Sequence, residues 1–372
     1  KVIKNPETIA LHGGEYRSDP ATTAVAVPIY RTTSYQFKDT DTAANLFALK
    51  EFGNIYTRIM NPTNDVLEKR LAAIEGGLAC VTVGSGQAAS TFSITNVCQS
   101  GDNFISSTDL YGGTVNLFTH TLKKLGIEVR YADPVDPKNF EKLIDDKTRA
   151  IYAETLPNPY LRVFPIKEVS DIGKKHNIPT FNDCAADVPP VENLFRFTKM
   201  GFDMVAFSGG KGLRGPQSAG LLLGKRKYIE AARLHTPPRG ETIGRGMKVN
   251  KEEVLGMLAA LEMYLKKDHK SEWKMWESQI QLISDSATSI DGVKSEIHVP
   301  KHANHVPSLR IKWNQKLVKI SPDEVRKKLR EGHPSIQTVG DSKTIGITTW
   351  MMVPGQERIV AKRLKEILSN AT

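Results

Sequence analysis

Apolar runs of strand length alternate with helical spacing through the middle of this chain. Leu78–Val83 reads as a strand, and Gly84-Ser85-Gly86-Gln87-Ala88-Ala89 opens a helix after it. Asn103–Ser107, Glu128–Tyr131, Ala150–Ala153, Pro179–Asn182 and Asp203–Phe207 read as further strands. Helices fit between them, for example Val115–Leu125 and Ile166–Lys175. Such alternation predicts an α/β fold with a mostly parallel central sheet covered by helices, and ligands bound at the carboxyl ends of the strands. That rule puts the Gly84 loop, Asp183 and Lys211 along one rim.

The pattern differs on either side of this stretch. Before about residue 60 few apolar positions are periodic, and Pro20 and Pro28 interrupt the chain, so 1–60 is expected to be an irregular arm. Asn61-Pro62 then caps and starts a helix carrying Val66, Leu67, Leu71 and Ile74, which Gly76-Gly77 stops. After about residue 240 come a long helix at Lys251–Lys267, striped by Val254, Leu255, Leu258, Leu261 and Leu265, and a helical segment through Trp273 and Trp276. A strand at Leu309–Trp313 and helices at Pro322–Arg330 and Gln356–Leu368 follow. The expected division is an arm at 1–60, a large domain at 61–240 and a smaller α+β domain at 241–372. Trp273 and Trp276, three apart on one helix, are expected to be packing residues.

Composition narrows the functional classes. Of 372 residues, 40% are hydrophobic and 25% charged, as in a water-soluble globular protein. No apolar run approaches the roughly 20 residues that span a bilayer. The first residues lack a signal peptide's apolar core, and Cys80, Cys98 and Cys184 sit in apolar settings, so buried, reduced thiols in a cytoplasmic protein are expected. The net charge of +10 is spread over helix faces, without a basic stretch interleaved with aromatics and without zinc-finger spacing. A solvated surface accounts for it, and neither nucleic acid, membrane nor metal is expected.

The chemistry centres on Phe207-Ser208-Gly209-Gly210-Lys211-Gly212-Leu213-Arg214-Gly215, where one lysine stands just past a strand end among glycines. An imine-forming lysine needs such a setting, because backbone must clear room for a ring and the amine must lose its proton. Lys211 is therefore expected to carry pyridoxal phosphate (PLP) as a Schiff base. That cofactor also needs a carboxylate to keep its pyridine nitrogen protonated, so that the ring accepts electrons. Asp183, at the preceding strand end, is the candidate, and Asp187 is a less well placed substitute. A strand-end aspartate equally serves to cap the next helix. A phosphate would suit Ser85-Gly86-Gln87 at a helix N-terminus, with the Ser208 hydroxyl and a charge from Arg58 or Arg214. Tyr111, in Asp109-Leu110-Tyr111-Gly112-Gly113-Thr114, could present a face to the ring or simply pack.

Four longer motifs carry a resemblance: Gly53-Asn54-Ile55-Tyr56-Thr57-Arg58-Ile59-Met60-Asn61-Pro62-Thr63, Gly84–Ala89, Leu110–Thr114 and Glu154-Thr155-Leu156-Pro157-Asn158-Pro159. In this order, across residues 7–177, they resemble the O-acetylhomoserine sulfhydrylases of the Cys/Met-metabolism group of fold-type-I PLP enzymes. The resemblance implies that Gly86, Gln87 and Ser208 bind the phosphate, and that Tyr111 stacks on the pyridine ring and assists leaving-group departure. Asn158 would lie by the phenolic oxygen and the substrate carboxylate, and Asp183 and Lys211 match the family's cofactor aspartate and lysine. Tyr56 and Arg58 would reach a neighbouring subunit's phosphate, implying a homodimer or homotetramer with shared active sites. The implied activity is γ-replacement or elimination on an O-acylated homoserine or a sulfur amino acid, in methionine and cysteine metabolism.

From Asn182 onward, residues 182–372 are more similar to selenocysteine-synthase-like PLP proteins, including sugar-acid ammonia lyases. Asp183–Pro190, Phe207–Gly220, Ile243–Val249, Asn304-His305-Val306-Pro307 and Trp350-Met351-Met352 carry that likeness. Ser208-Gly209-Gly210-Lys211 stands where the sulfhydrylases have Ser-Ala-Thr-Lys, and Arg310 and Arg245 are only stand-ins for their C-terminal substrate-carboxylate arginine. The chain thus reads as a junction of two subfamilies near 175–182, which brings in β-elimination or ammonia release as an alternative. Two further classes stay open. Gly84–Ala89 formally fits the G-x-G-x-x-A dinucleotide fingerprint of an oxidoreductase, although neither Asp102 nor Asp109 suits the required acid. A PLP-binding protein without turnover is the other.

Overall fold

The computed structural model describes residues 23–24, 28–57, 60–74, 79–157, 164–235, 242–300 and 305–372. Seven short strands form its main sheet: β1 (Ala79–Val83), β2 (Asn103–Ser107), β3 (Glu128–Ala132), β4 (Thr148–Glu154), β5 (Thr180–Asp183), β6 (Met204–Ser208) and β7 (Gly220–Gly224). They lie in the order β1-β7-β6-β5-β4-β2-β3. All neighbours from β6 to β3 run parallel, and β7 runs antiparallel to both β6 and β1. Successive side chains enter opposite cores. Ile151, Val205, Phe207, Leu221 and Leu223 pack on one face, and Tyr152, Phe181, Met204, Ala206 and Leu222 on the other. Burial on both faces explains the apolar runs of the central strands, whereas β3 at the sheet edge is half-exposed. Each large side chain so buried stabilises the fold by about 1.5–3 kcal/mol.

The α/β architecture matches expectation, and β7 is the element that the strand–helix grammar missed. It returns from β6 without a crossover helix, so alternation gives no cue for it. Its direction has a consequence for the rim. Because β7 is antiparallel, its first residue stands level with the carboxyl ends of its neighbours, and Gly220 pairs with Val83 on one side and Ser208 on the other. A Cβ on Gly220 would run into the Ser85 carbonyl group. Only glycine lets the loop after β1 close against β7.

Three further expectations are adjusted. The segment before residue 60 contains a helix, Thr40–Phe47, whose N-cap Asp39 accepts the Thr42 N–H at 2.7 Å; residues 1–22 and 25–27 of the expected arm lie outside the described residues. The helix expected at Val115–Leu125 begins earlier, as Gly112–Asn116, and passes into a π-helical turn at Leu117–Leu122. The chain divides between Lys266 and Lys267, not near 240. The helix Lys251–Lys266 buries Val254, Met257 and Leu261 in the first unit's core, which holds it there.

The second unit, Lys267–Thr372, has its own antiparallel sheet. Its strands β8 (Val293–His298), β9 (Ser308–Trp313), β10 (Val339–Gly340) and β11 (Ile345–Thr348) lie in the order β10-β11-β9-β8. Helices His269–Thr288, Pro322–Arg330 and Gln356–Ser369 complete it, around Ile280, Ile283, Leu309, Ile311, Val325 and Leu364. The helix at Pro322 starts with a reciprocal capping box between Ser321 and Glu324. Trp276 is buried, as expected of a packing residue.

The Gly220 contact is testable. Gly220→Ala should lower stability by about 1–3 kcal/mol through overpacking, read as a shift in the denaturation midpoint. Gly246→Ala, whose Cβ would meet no described atom within 4 Å, serves as the control and should shift it far less.

Candidate active site

The rim is assembled from strand ends outward. After β1, the Ser85 hydroxyl accepts the Ala88 N–H at 3.0 Å and caps the helix Gly86–Thr95. A Cβ on Gly86 would lie 3.5 Å from Ser208 Cβ, so this helix N-terminus faces the end of β6. Gln87 Nε2 donates to Thr114 Oγ1 at 2.9 Å, tying the same helix to the loop that carries Tyr111. Tyr111 is 45% exposed, and its ring folds over Gly113, where a Cβ would meet it at 2.5 Å. Lys211, exposed in the turn after β6, holds its Nζ 5.8 Å from the centroid of that ring.

Asp183 ends β5 and is 4% exposed. The Tyr152 hydroxyl donates to its Oδ2 at 3.0 Å, and the Ala185 N–H donates to its Oδ1 at 2.9 Å. Ser90 Oγ lies 2.9 Å from the same Tyr152 hydroxyl. Burial raises the Asp183 acid above the ordinary carboxyl range, opposed by the Ala185 N–H and the positive charge of Lys211. Its register partner on β4 is Glu154, 8% exposed, whose Oε2 accepts the Tyr111 N–H at 2.7 Å. Burial, then the charge of Asp183, pushes the Glu154 acid up to about 8. Asp187, 1% exposed beside Thr155 and Cys184, is pushed up to about 7, chiefly by burial. Its Oδ2 finds no hydrogen-bond partner among the described residues.

The glycines around Lys211 serve a different purpose from the expected one. They pack the turn rather than clear room for a ring. A Cβ on Gly209 would meet the Pro216 carbonyl oxygen at 2.6 Å, one on Gly210 would meet Gln217 Cα at 2.7 Å, and one on Gly212 would strike the Val188 carbonyl. The last contact holds the Lys211 turn against the loop after β5, and so beside Asp183.

Of the candidate residues, Lys211, Tyr111, Asp183, Gly86, Gln87 and Ser208 come together on this rim. Tyr56 joins it indirectly. Lys248 Nζ lies 5.5 Å from the Tyr56 ring centroid, and the Lys248 carbonyl lies 3.3 Å from where a Cβ on Gly84 would sit. Arg58 and Asn158 lie outside the described residues. Tyr152 and Glu154 had no assigned role in the sequence. Tyr152 reads there as one more core residue, whereas Glu154 carried a usable signal, an acid closing an apolar strand. A cavity of about 640 Å³ lies off the rim, lined by Asn61, Glu68, Phe92, Arg233 and Met247 rather than by Lys211. Among the described residues no group of three metal-ligating side chains occurs, and no helix is long and apolar enough to cross a membrane.

The dinucleotide alternative fails on topology. That fingerprint needs the next strand beside the first, and here β7, β6, β5 and β4 separate β1 from β2. The family of Cys/Met metabolism PLP-dependent enzymes matches residues 7–250. The chain belongs to this family. The match to the Cys/Met metabolism family continues past 175–182, so the second likeness of 182–372 stands as a sequence resemblance alone. Among relatives, the O-acetyl-L-homoserine sulfhydrylase of Leptospira meyeri is 52% identical over 210 residues, covering 56% of this chain and 47% of that protein. The homocysteine/cysteine synthase of Kluyveromyces lactis is 43% identical over 229 residues, covering 60% and 50%. The chain thus spans about half the length of the curated relatives it matches. A putative O-acetylhomoserine (thiol)-lyase from Campylobacter jejuni, solved with N′-pyridoxyl-lysine-5′-monophosphate in its chain, superposes with a TM-score of 0.70 at 25% identity, covering 98% of this chain and all (100%) of that one. The metB protein of Corynebacterium glutamicum, at 18% identity, a TM-score of 0.70 and 98% coverage of both chains, shares the fold. The fold is therefore the fold-type-I architecture expected, and the family's cofactor is the one that Lys211 suggested.

The buried acids of this Cys/Met-family rim make stability depend on pH. Asp187 and Glu154 keep their protons in the fold up to about 7 and about 8, whereas in the unfolded chain they lose them near the ordinary carboxyl values of 3.8 and 4.5. Between those limits the folded state binds more protons, so stability falls as pH rises. The cofactor-free protein should lose stability from pH 5 to pH 8, and Asp187→Asn should flatten that fall by an amount on the order of a few kcal/mol. Thermal denaturation of both proteins across this range checks it.

Proposed function

We propose that this chain forms a PLP-dependent enzyme performing γ-replacement or elimination on an O-acylated homoserine or a sulfur amino acid, with Lys211 as the amine that holds the cofactor. One observation carries the reading: the Lys211 amine stands 5.8 Å from the Tyr111 ring on the rim that also presents the buried Asp183 carboxylate. The residues fit the group. Asp183, held by the Tyr152 hydroxyl and the Ala185 N–H, suits a protonated ring nitrogen. The capped helix N-terminus at Gly86 and Gln87, with Ser208 opposite, suits a phosphate. Tyr111 offers its face beside the glycines that admit it.

When bound, PLP supplies an electron sink for charge developing on the substrate. The protein's part is proton handling and orientation. Lys211 Nζ is the group positioned to take a proton from the substrate and return it. The Tyr111 ring is half-exposed on the rim, and the Gln87–Thr114 hydrogen bond steadies its loop. Tyr56 and Arg58 are proposed to complete a neighbouring subunit's phosphate site and Asn158 to meet the substrate carboxylate, so the working form is a cytoplasmic homodimer or homotetramer. The family motifs support these assignments, as do the buried thiols Cys80, Cys98 and Cys184.

The purified protein incubated with PLP should show a visible absorption band that borohydride abolishes. Lys211→Ala should lack that band and lose activity by roughly 10²–10⁴-fold. O-acetylhomoserine with sulfide should yield homocysteine. A colourless protein, or an unchanged band in Lys211→Ala, contradicts the cofactor assignment. Ammonia release from hydroxylated amino acids without any thiol incorporation would favour the β-elimination reading instead.

A further inference from the structure

We propose that Glu154 is a positioning residue: as a neutral carboxylic acid it fastens the Tyr111 loop to the Asp183 end of the sheet and leaves Asp183 as the anion. The inference rests on the reading above only in assigning Asp183 to the ring nitrogen. Glu154 and Asp183 are register partners on adjacent parallel strands, and both are nearly inaccessible. Neighbouring strands lie about 4.8 Å apart, and two carboxyl groups side by side on such strands in a buried setting resist ionising together.

The hydrogen-bond donors decide which one keeps the proton. Asp183 receives two, the Tyr152 hydroxyl and the Ala185 N–H, and both favour its charged form. Glu154 receives the Tyr111 N–H at 2.7 Å on Oε2. The other charged or titratable groups facing Glu154 are Asp187 from the loop after β5, Lys211 from the turn after β6, and Tyr152 on its own strand. Asp187 adds to the repulsion, the buried Tyr152 phenol is held neutral, and the Lys211 charge is shared among all three acids. A protonated Glu154 can still accept the Tyr111 N–H. The ring face that Lys211 overlooks is therefore set from beneath by an acid on the neighbouring strand end, without placing a second negative charge beside Asp183.

Two substitutions separate positioning from charge. Glu154→Gln keeps a carbonyl oxygen for the Tyr111 N–H and removes the ionisation. Glu154→Ala removes both. In the cofactor-free protein, amide hydrogen exchange at Tyr111 should stay as slow in Glu154→Gln as in the unsubstituted protein. It should quicken by about tenfold or more in Glu154→Ala, as expected for loss of one hydrogen bond to a buried acid. The fall in melting temperature between pH 5 and pH 8 should be smaller in Glu154→Gln than in the unsubstituted protein. With PLP added, Glu154→Ala should bind it about tenfold more weakly and alter the visible circular dichroism of the bound cofactor. Rapid Tyr111 exchange in Glu154→Gln as well would show that the anion is needed and overturn the proposal. So would unchanged exchange in Glu154→Ala. The cofactor-free measurements decide the matter independently of PLP, whereas failure of the unsubstituted protein to take up PLP overturns the functional reading instead.

Discussion

Burying a carboxylate at the end of β5 is the constraint on which the rest of this rim depends. Asp183 is almost inaccessible, and an isolated carboxylate in that position is costly unless donors and a cation surround it. The surrounding groups answer that need. Tyr152 and Ala185 donate to its two oxygens, Ser90 lies against the Tyr152 hydroxyl from the helix after β1, and Lys211 supplies the positive charge. A cationic ring nitrogen would meet the same need more directly. In the cofactor-free protein the acids at 154, 183 and 187 share one buried region, and protons held by Glu154 and Asp187 relieve the repulsion on the Asp183 anion.

Direction in the sheet does the remaining positioning. A parallel sheet alone would put a strand's amino end next to the loop after β1 only by crossing the whole domain. The antiparallel β7 puts Gly220 between Val83 and Ser208 instead, which lets the capped helix at Gly86 face the Lys211 turn. The glycines at 209, 210 and 212 then pull that turn against Gln217 and Val188. This close packing fixes the backbone course of the turn from which Lys211 reaches to within 5.8 Å of the Tyr111 ring.

Much of the architecture was legible from the chain. All six strands read from the alternating stretch lie within two residues of their observed ends in β1–β6; most are buried runs bounded by polar or turn residues, and the half-exposed β3 is the exception. The rim position of Lys211 and Asp183 is legible because both follow strand ends, whereas Tyr111 stands out only through its glycine-flanked loop and the family motif. Other features were not. The Leu221-Leu222-Leu223 run that makes β7 is too short to announce its direction, and Asp39 caps a helix in a stretch that otherwise lacks periodicity. Glu154 stands in the sulfhydrylase-like motif with no role visible in the sequence, since only the sheet register pairs it with Asp183. The glycine-rich turn suggested room for a ligand, whereas close backbone approach is what its geometry requires.

We propose Lys211, and no other lysine, as the covalent anchor of the rim's chemistry. Reduction of the PLP-loaded protein with borohydride, followed by proteolysis and mass spectrometry, tests it most directly. The pyridoxyl mass increment should fall on the peptide containing Lys211. A label confined to another lysine, such as Lys248 beside Tyr56 or Lys225 after β7, would contradict it.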